Sequence, residues 1–157
     1  MIEMNTKQNR WSKIQSVDVI VVFESLSKLN QQIKKVKTNF DVKHRFSFVV
    51  VFKDNKKKET TKLPENCIGI ASSDFNIFGR IKNSELLNKI TAHESDILLV
   101  GIAEKNKFVK KLLSLKKYKL SIGRELESLP KFGLAFLMTE FNFEKLVEQA
   151  VKYLKQI

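Results

Sequence analysis

The chain has 157 residues, a formal net charge of +12, and a single cysteine. That is the size of one domain, large enough to bury a core without staples, and Cys67, alone inside the apolar run CIGIA, excludes an intrachain disulfide and reads as an inert thiol in a reducing compartment. The longest apolar runs, VIVVF and FVVVF, are too short for a membrane-spanning helix, and the polar start MIEMNTKQNRWSKIQ lacks an apolar segment of signal-peptide length, so the expectation is a cytoplasmic protein without membrane contact.

Residues 1–16 read as an N-terminal arm, with Trp11 pinning its end, ahead of a single α/β domain over 17–157. VDVIVVF (17–23) is a continuous apolar run rich in β-branched residues, the pattern of a strand covered on both faces. In 25–40 the period changes. Leu26, Leu29, Ile33, Val36 and Phe40 recur at steps of three and four, which predicts a helix with one apolar stripe, and Ser25 is placed to cap it. FSFVVVF (46–52) predicts a second strand, KDNKKKETTK (53–62) a polar connection, and CIGIA (67–71) a third strand. Asn83 or Ser84 then caps a short helix carrying Leu86, Leu87 and Ile90. DILLVGI (96–102) predicts a fourth buried strand and KNKFVKKLLSLKK (105–117) a helix with a Phe108, Leu112, Leu115 ridge. YKLSIG (118–123) and GLAFLM (133–138) predict the last strands. NFEKLVEQAVKYLKQI (142–157), with Asn142 as cap and Glu144 in the first turn, predicts the closing helix.

The resulting order, β-α-β-β-α-β-α-β-β-α, predicts an α/β three-layer sandwich: a mainly parallel, Rossmann-like sheet of five to six strands with helices on both faces. One joint stays open. RELESLPK (124–131) is short for a crossover helix, so the last strand either follows an irregular loop or runs antiparallel at the edge.

Doubly wound folds bind ligands at the carboxyl ends of their strands. The first such end here, FESLSK, has no glycine-rich turn, and the chain has no Walker lysine motif. No cofactor is therefore expected. Ser25 and Ser27 can meet a phosphate at the helix N-terminus, or Ser25 can simply cap. His44 and His93 stand apart from each other and from any Cys at ligand spacing, so no metal is expected. Asp74 and Asp96 touch strand ends, where catalytic acids often sit, but Asp also caps turns, and no nucleophile–base spacing can be read. The chain reads as non-catalytic.

The charge carries the positive signal. The cations are nearly all lysine, with four arginines, and lysine acts as a point charge rather than a bidentate reader. This predicts a phosphate-directed polyanion interface with weak sequence specificity. Lys107, Lys110 and Lys111 lie opposite the Phe108 ridge, Lys116 and Lys117 extend that face, and Lys56, Lys57 and Lys58 form a second cluster on the polar connection.

The stretch SDFNIFGRIKN (73–83) sits between a strand and a capped helix. Phe75, Ile77 and Phe78 are expected to plug the gap between sheet and helix while Gly79 supplies a positive-φ turn. Alternatively, Asn76, Arg80 and Lys82 face a ligand and one Phe offers a stacking surface. The pattern Asp-hydrophobic-Asn-hydrophobic-Phe-Gly-Arg/Lys-x-Lys, met by Asp74 through Lys82, resembles a family of short α/β proteins of the Bacteroidetes with no assigned function. SDILLVGI, Ile122 with Gly123, FGLAFLM, and Tyr153 with Leu154 extend the resemblance over 17–157. It implies a Rossmann-like fold in a bacterial cytoplasm and no particular activity. The acids this family carries late in its middle strand and before its last strand are matched here by Val100 and Gly133.

The leading expectation is a non-catalytic basic binding module for RNA or a ribonucleoprotein. The alternative is a small-molecule or nucleotide-binding protein of weak or lost activity, with a strand-end pocket built from Ser25, Asp74, Asn76, Arg80 and Lys82. A protein–protein scaffold is a third reading, which exposure of Phe75 or Phe78 would favour.

Overall fold

The computed structural model describes residues 11–40, 45–125 and 132–156. The first residues of the arm, His44 and most of RELESLPK lie outside the described residues. In chain order the elements are β1 (Ser16–Val22), α1 (Leu26–Asn39), β2 (Arg45–Val51), α2 (Asn55–Thr60), β3 (Cys67–Ile70), a short 3-10 turn (Ser72–Asp74), α3 (Ser84–Thr91), β4 (Glu94–Gly101), α4 (Lys107–Leu115), β5 (Lys117–Arg124), β6 (Leu134–Phe136) and α5 (Phe143–Gln156).

The six strands form one sheet in the order β3-β2-β1-β4-β5-β6, and every neighbouring pair is parallel. This is the doubly wound, Rossmann-like order. The chain winds outward from β1 to β3, returns to lay β4 on the other side of β1, and winds outward again. Right-handed crossovers then place helices on opposite faces for the two halves. The core accordingly divides in two. Val17, Val19 and Val21 of β1 pack under Leu29 and Val36 of α1 and Phe143, Leu146 and Val147 of α5. Ile20 of β1 turns the other way and joins Leu98 and Val100 of β4, Ile90 of α3 and Val109 and Leu112 of α4. Alternation along strands buried on both faces is why they read as unbroken apolar runs.

β6 settles the open joint. It runs parallel to β5, with Ile122 paired to Leu134 and Arg124 to Phe136. Three caps hold as read: Ser25 Oγ accepts from Lys28 N at 3.1 Å, Asn83 Oδ1 from Glu85 N at 2.8 Å, and Asn142 Oδ1 from Lys145 N at 2.9 Å. Trp11 stacks on Phe40 with ring centroids 5.9 Å apart.

The structure corrects three expectations. The polar connection contains a helix, α2, capped by Asp54, whose carboxylate accepts from Lys56 N at 2.8 Å. It has no apolar stripe to announce it, because none of its residues is fully buried. The inward stripe of α1 is rotated: Leu29, Gln32 and Val36 are the buried residues, while Leu26 is exposed and Ile33 only half-buried.

The third correction concerns Lys116, expected on the cationic face. It is buried instead. Its Nζ lies 3.0 Å from the Asp18 carboxylate, and the two side chains are 4% and 5% exposed. The same ammonium donates to the Ile90 carbonyl at the end of α3, at 3.1 Å. Lys116 follows the last residue of α4, whose amphipathic stripe points it under the sheet rather than into solvent.

Removing one partner of a buried pair strands the other charge, which costs about 3–5 kcal/mol, whereas replacing both with apolar residues is often close to neutral. Lys116→Met should therefore lower the urea-unfolding free energy by about that amount. The double variant Asp18→Val/Lys116→Met should recover most of the loss. A single variant as stable as wild type would show that the pair does not hold these elements together.

Candidate nucleic-acid interface

After β3 the chain makes its short 3-10 turn and then a small hairpin. Asp74 organises the entry: its carboxylate accepts from Ala71 N at 2.8 Å and pairs with Lys58 Nζ at 3.0 Å. Asn55 Oδ1 accepts from Ser73 N at 3.0 Å, tying the turn to α2. Phe75 and Ile81 face each other in an antiparallel bridge. Asn76 organises the tip, where its Oδ1 accepts from Phe78 N at 2.9 Å and Arg80 N at 3.0 Å. Gly79 takes φ +76, the left-handed conformation that glycine adopts without strain. The Lys111 chain runs across this glycine, and an added Cβ would meet its Nζ at 3.0 Å.

The aromatic-rich motif therefore divides. Phe75 stacks on Phe108 of α4 with centroids 5.0 Å apart and plugs the gap as expected. Ile77 and Phe78 do not: they stand at the tip, 93% and 77% exposed. Being adjacent, the two make one apolar projection, whereas Leu26 and Leu137 are exposed singly.

The hairpin bridges the two lysine-bearing helices. On one side Lys58 reaches Asp74, and it lies with Leu63 and Phe52 against Gly69, the side of the sheet that carries α1. On the other side Phe108 and Lys111 of α4 hold the hairpin from the opposite face. Around it, Lys56, Lys57, Arg80, Lys82, Lys107, Lys110 and Lys111 are exposed. Lys107 Nζ lies 5.1 Å over the Phe108 ring. Lys58 is half-buried and engaged by Asp74. Lys117 is exposed but opens β5, at the end of the sheet away from the hairpin.

The strand-end pocket expected from Ser25, Asp74, Asn76, Arg80 and Lys82 is not assembled. Ser25 follows β1, the other four follow β3, and β2 lies between those strands. Asp74 spends its oxygens on Ala71 N and the Lys58 ammonium, and Asn76 Oδ1 is taken by the N–H groups of Phe78 and Arg80. A different crevice, of about 400 Å³, opens where the strand order reverses, between the carboxyl ends of β1 and β4, and it includes Glu24, Lys28, Gln32, Lys105 and Asn106. Of these, Gln32 passed unnoticed in the sequence. Its signal was a polar residue at the position, three after Leu29 and four before Val36, that the inward stripe requires.

Asp96 is a clip at the amino end of β4. Its carboxylate accepts from Gln15 N at 2.7 Å and Ser16 N at 3.3 Å, and pairs with Lys119 Nζ at 3.1 Å. Burial alone would raise its pKa, but those N–H donors and the Lys119 ammonium together hold it below the usual carboxylate range. Burial pushes the Cys67 thiol up, with Lys37 pulling weakly the other way, which suits an unreactive sulfur. Among the described residues no group of three or more His, Cys, Asp or Glu is placed to hold a metal, and no helix is long and apolar enough to cross a membrane.

Sheet order, crossovers and divided core define a doubly wound α/β protein. The chain belongs to the family of unknown function DUF6913, whose sequence model matches residues 2–157. No curated protein matches it. Among solved structures it is similar to the E. coli heptosyltransferase WaaC with ADP, at TM-score 0.55 and 8% sequence identity over 88% of this chain. The chain spans 47% of that one, about half its length, and the likeness is one of fold.

A carboxylate whose folded pKa is depressed adds stability above its unfolded pKa and loses it as pH falls through the folded value. Asp96→Asn should thus be less stable than wild type at neutral pH. The gap should begin to shrink below about pH 4, the ordinary range of an unfolded Asp, and close only as the pH falls through the lower pKa of folded Asp96. Thermal unfolding at neutral and acid pH checks this; an equal gap at both would mean that the charge of Asp96 is not what the clip uses.

Proposed function

We propose that the protein is a non-catalytic module that binds single-stranded segments of RNA, free or within a ribonucleoprotein, at the hairpin and the lysines flanking it. The observation that carries this reading is the exposed pair Ile77 and Phe78 set among exposed cations, with no carboxylate among the residues from Lys105 to Lys119. A base stacks on a Phe face whatever its identity, while lysines track the phosphates. Shape favours a flexible polyanion over a flat anionic bilayer. The lysines of α2 and α4 flank the hairpin from opposite faces of the sheet, so a strand can pass around the tip and meet both, whereas a plane would meet one. A bacterial cytoplasm, the Bacteroidetes as its source, and the absence of membrane contact belong to the same proposal.

Fluorescence anisotropy with a labelled single-stranded oligoribonucleotide tests it. Each phosphate neutralised on a single strand contributes about −0.7 to the slope of log K against log salt. Engagement of several of the named cations should therefore give a slope of about −3 or steeper. Phe78→Ala should lose about 1–3 kcal/mol of binding. Lys107→Glu/Lys110→Glu should weaken binding with unchanged circular dichroism; Lys111 is left in place because it packs over Gly79. Salt-insensitive binding, or full affinity in both variants, would sink the reading. Sedimentation with anionic vesicles that depends on Ile77 and Phe78, without RNA affinity, would replace it with a membrane surface.

A further inference from the structure

We infer a second, separate site: the crevice between the carboxyl ends of β1 and β4 binds a phosphorylated sugar, free or carried in a mononucleotide. Three independent features converge there. The first is topological. In a doubly wound sheet the strand-order reversal opens a gap, because the crossovers on either side leave toward opposite faces. Here it is a crevice of about 400 Å³ bordered by the starts of α1, α4 and α5.

The second is Gln32. It is 6% exposed, inside the buried stripe of α1. No hydrogen bond from the described residues reaches its side-chain amide, and what remains open of it lines the crevice. A side chain this enclosed usually finds a protein partner for its polar atoms, yet the Gln32 amide, not itself sealed from solvent, opens only into the crevice. An amide kept there is poised for a partner that enters from outside.

The third is charge. Lys28, Lys53 and Lys105 line the crevice together with Glu24, Glu104 and Glu144. Ammonium groups and helix N-termini favour a phosphate. Carboxylates accept hydroxyl protons, as an acidic residue does from a ribose in this fold. A ligand with both a phosphate and vicinal hydroxyls answers both signs of charge; inorganic phosphate answers one. Pyrophosphate is disfavoured, because Phe23, Glu24 and Ser25 stand where a close backbone approach needs glycines.

Isothermal titration calorimetry of the full chain against ribose 5-phosphate, AMP, ribose and inorganic phosphate tests the assignment. Ribose 5-phosphate, AMP or both should bind, and the arm that binds more tightly identifies the source. Ribose and phosphate alone should bind at least tenfold more weakly. Gln32→Leu should lose at least tenfold in affinity while unfolding no earlier than wild type, since it removes no hydrogen bond made among the described residues. Lys28→Ala/Lys105→Ala, both at solvent-accessible positions, should weaken binding without touching the core. Phe78→Ala should leave it unchanged, which separates this site from the hairpin surface. No heat with either phosphorylated sugar overturns the inference, as does phosphate binding as tightly as its esters. Full affinity in Gln32→Leu or in the double lysine variant would overturn it too, and a clearly destabilised Gln32→Leu would show that the amide serves the fold.

Discussion

One ammonium group under the sheet ties together three elements that otherwise meet only through apolar packing. Lys116 leaves the end of α4, reaches the Asp18 carboxylate of β1, and donates to the last-turn carbonyl of Ile90 on α3. The carbonyl end of a helix attracts a cation and the carboxylate neutralises it, so each partner makes burial of the others tolerable. Apolar packing on that face is non-directional, and a sliding helix would keep most of it. The buried charge cannot slide, because any shift by a turn leaves an ammonium or a carboxylate unpaired where little solvent reaches it. The pair thus acts on register between α3, α4 and β1 more than on the depth of the core.

Much of this architecture was legible because the strands obey a simple rule. A strand covered on both faces must be apolar throughout, and β1, β2 and β4 announce themselves that way. Helix periods, three Asx or Ser caps and the β-α alternation followed. The parallel direction of β6 was not legible, since three residues carry no period and the linker before it is short. Helix α2 was invisible for a related reason: Asp54 caps it, but no residue of it is buried, so nothing repeats. Asp18, inside VDVIVVF, and Lys116, inside a lysine run, looked like noise in one pattern and typical members of another. Their pairing across 98 positions of sequence is a property of the fold alone.

The lysines show why composition under-determines a surface. Residues that read alike are put to unlike uses: Lys116 clamps the core, Lys58 clamps the hairpin entry, Lys111 lies over Gly79, and Lys107 and Lys110 face water. The motif Asp74–Lys82 divides in the same way. Its aspartate and asparagine, the residues most suggestive of chemistry, are consumed by the turn, while two of its apolar residues, the ones most suggestive of core, stand in solvent. Loop N–H groups need acceptors before any ligand does, and short polar side chains nearest in sequence supply them.

The two ends of the sheet put their polar groups to different uses. At the amino end, Asp18 pairs with Lys116, and Asp96 with Lys119, Gln15 and Ser16, while the buried Ser95 Oγ, and the exposed Arg45 and Lys117, have no such partner among the described residues. At the carboxyl end Ile77 and Phe78 project, and among the described residues the Gln32 amide has no hydrogen-bond partner and Lys105, Lys107 and Lys110 have no ion-pair partner. The polarity of a parallel sheet makes such a division available: every β-to-α turn lies at one end, and the residues free to vary with a ligand are gathered there, away from the clips that hold the register.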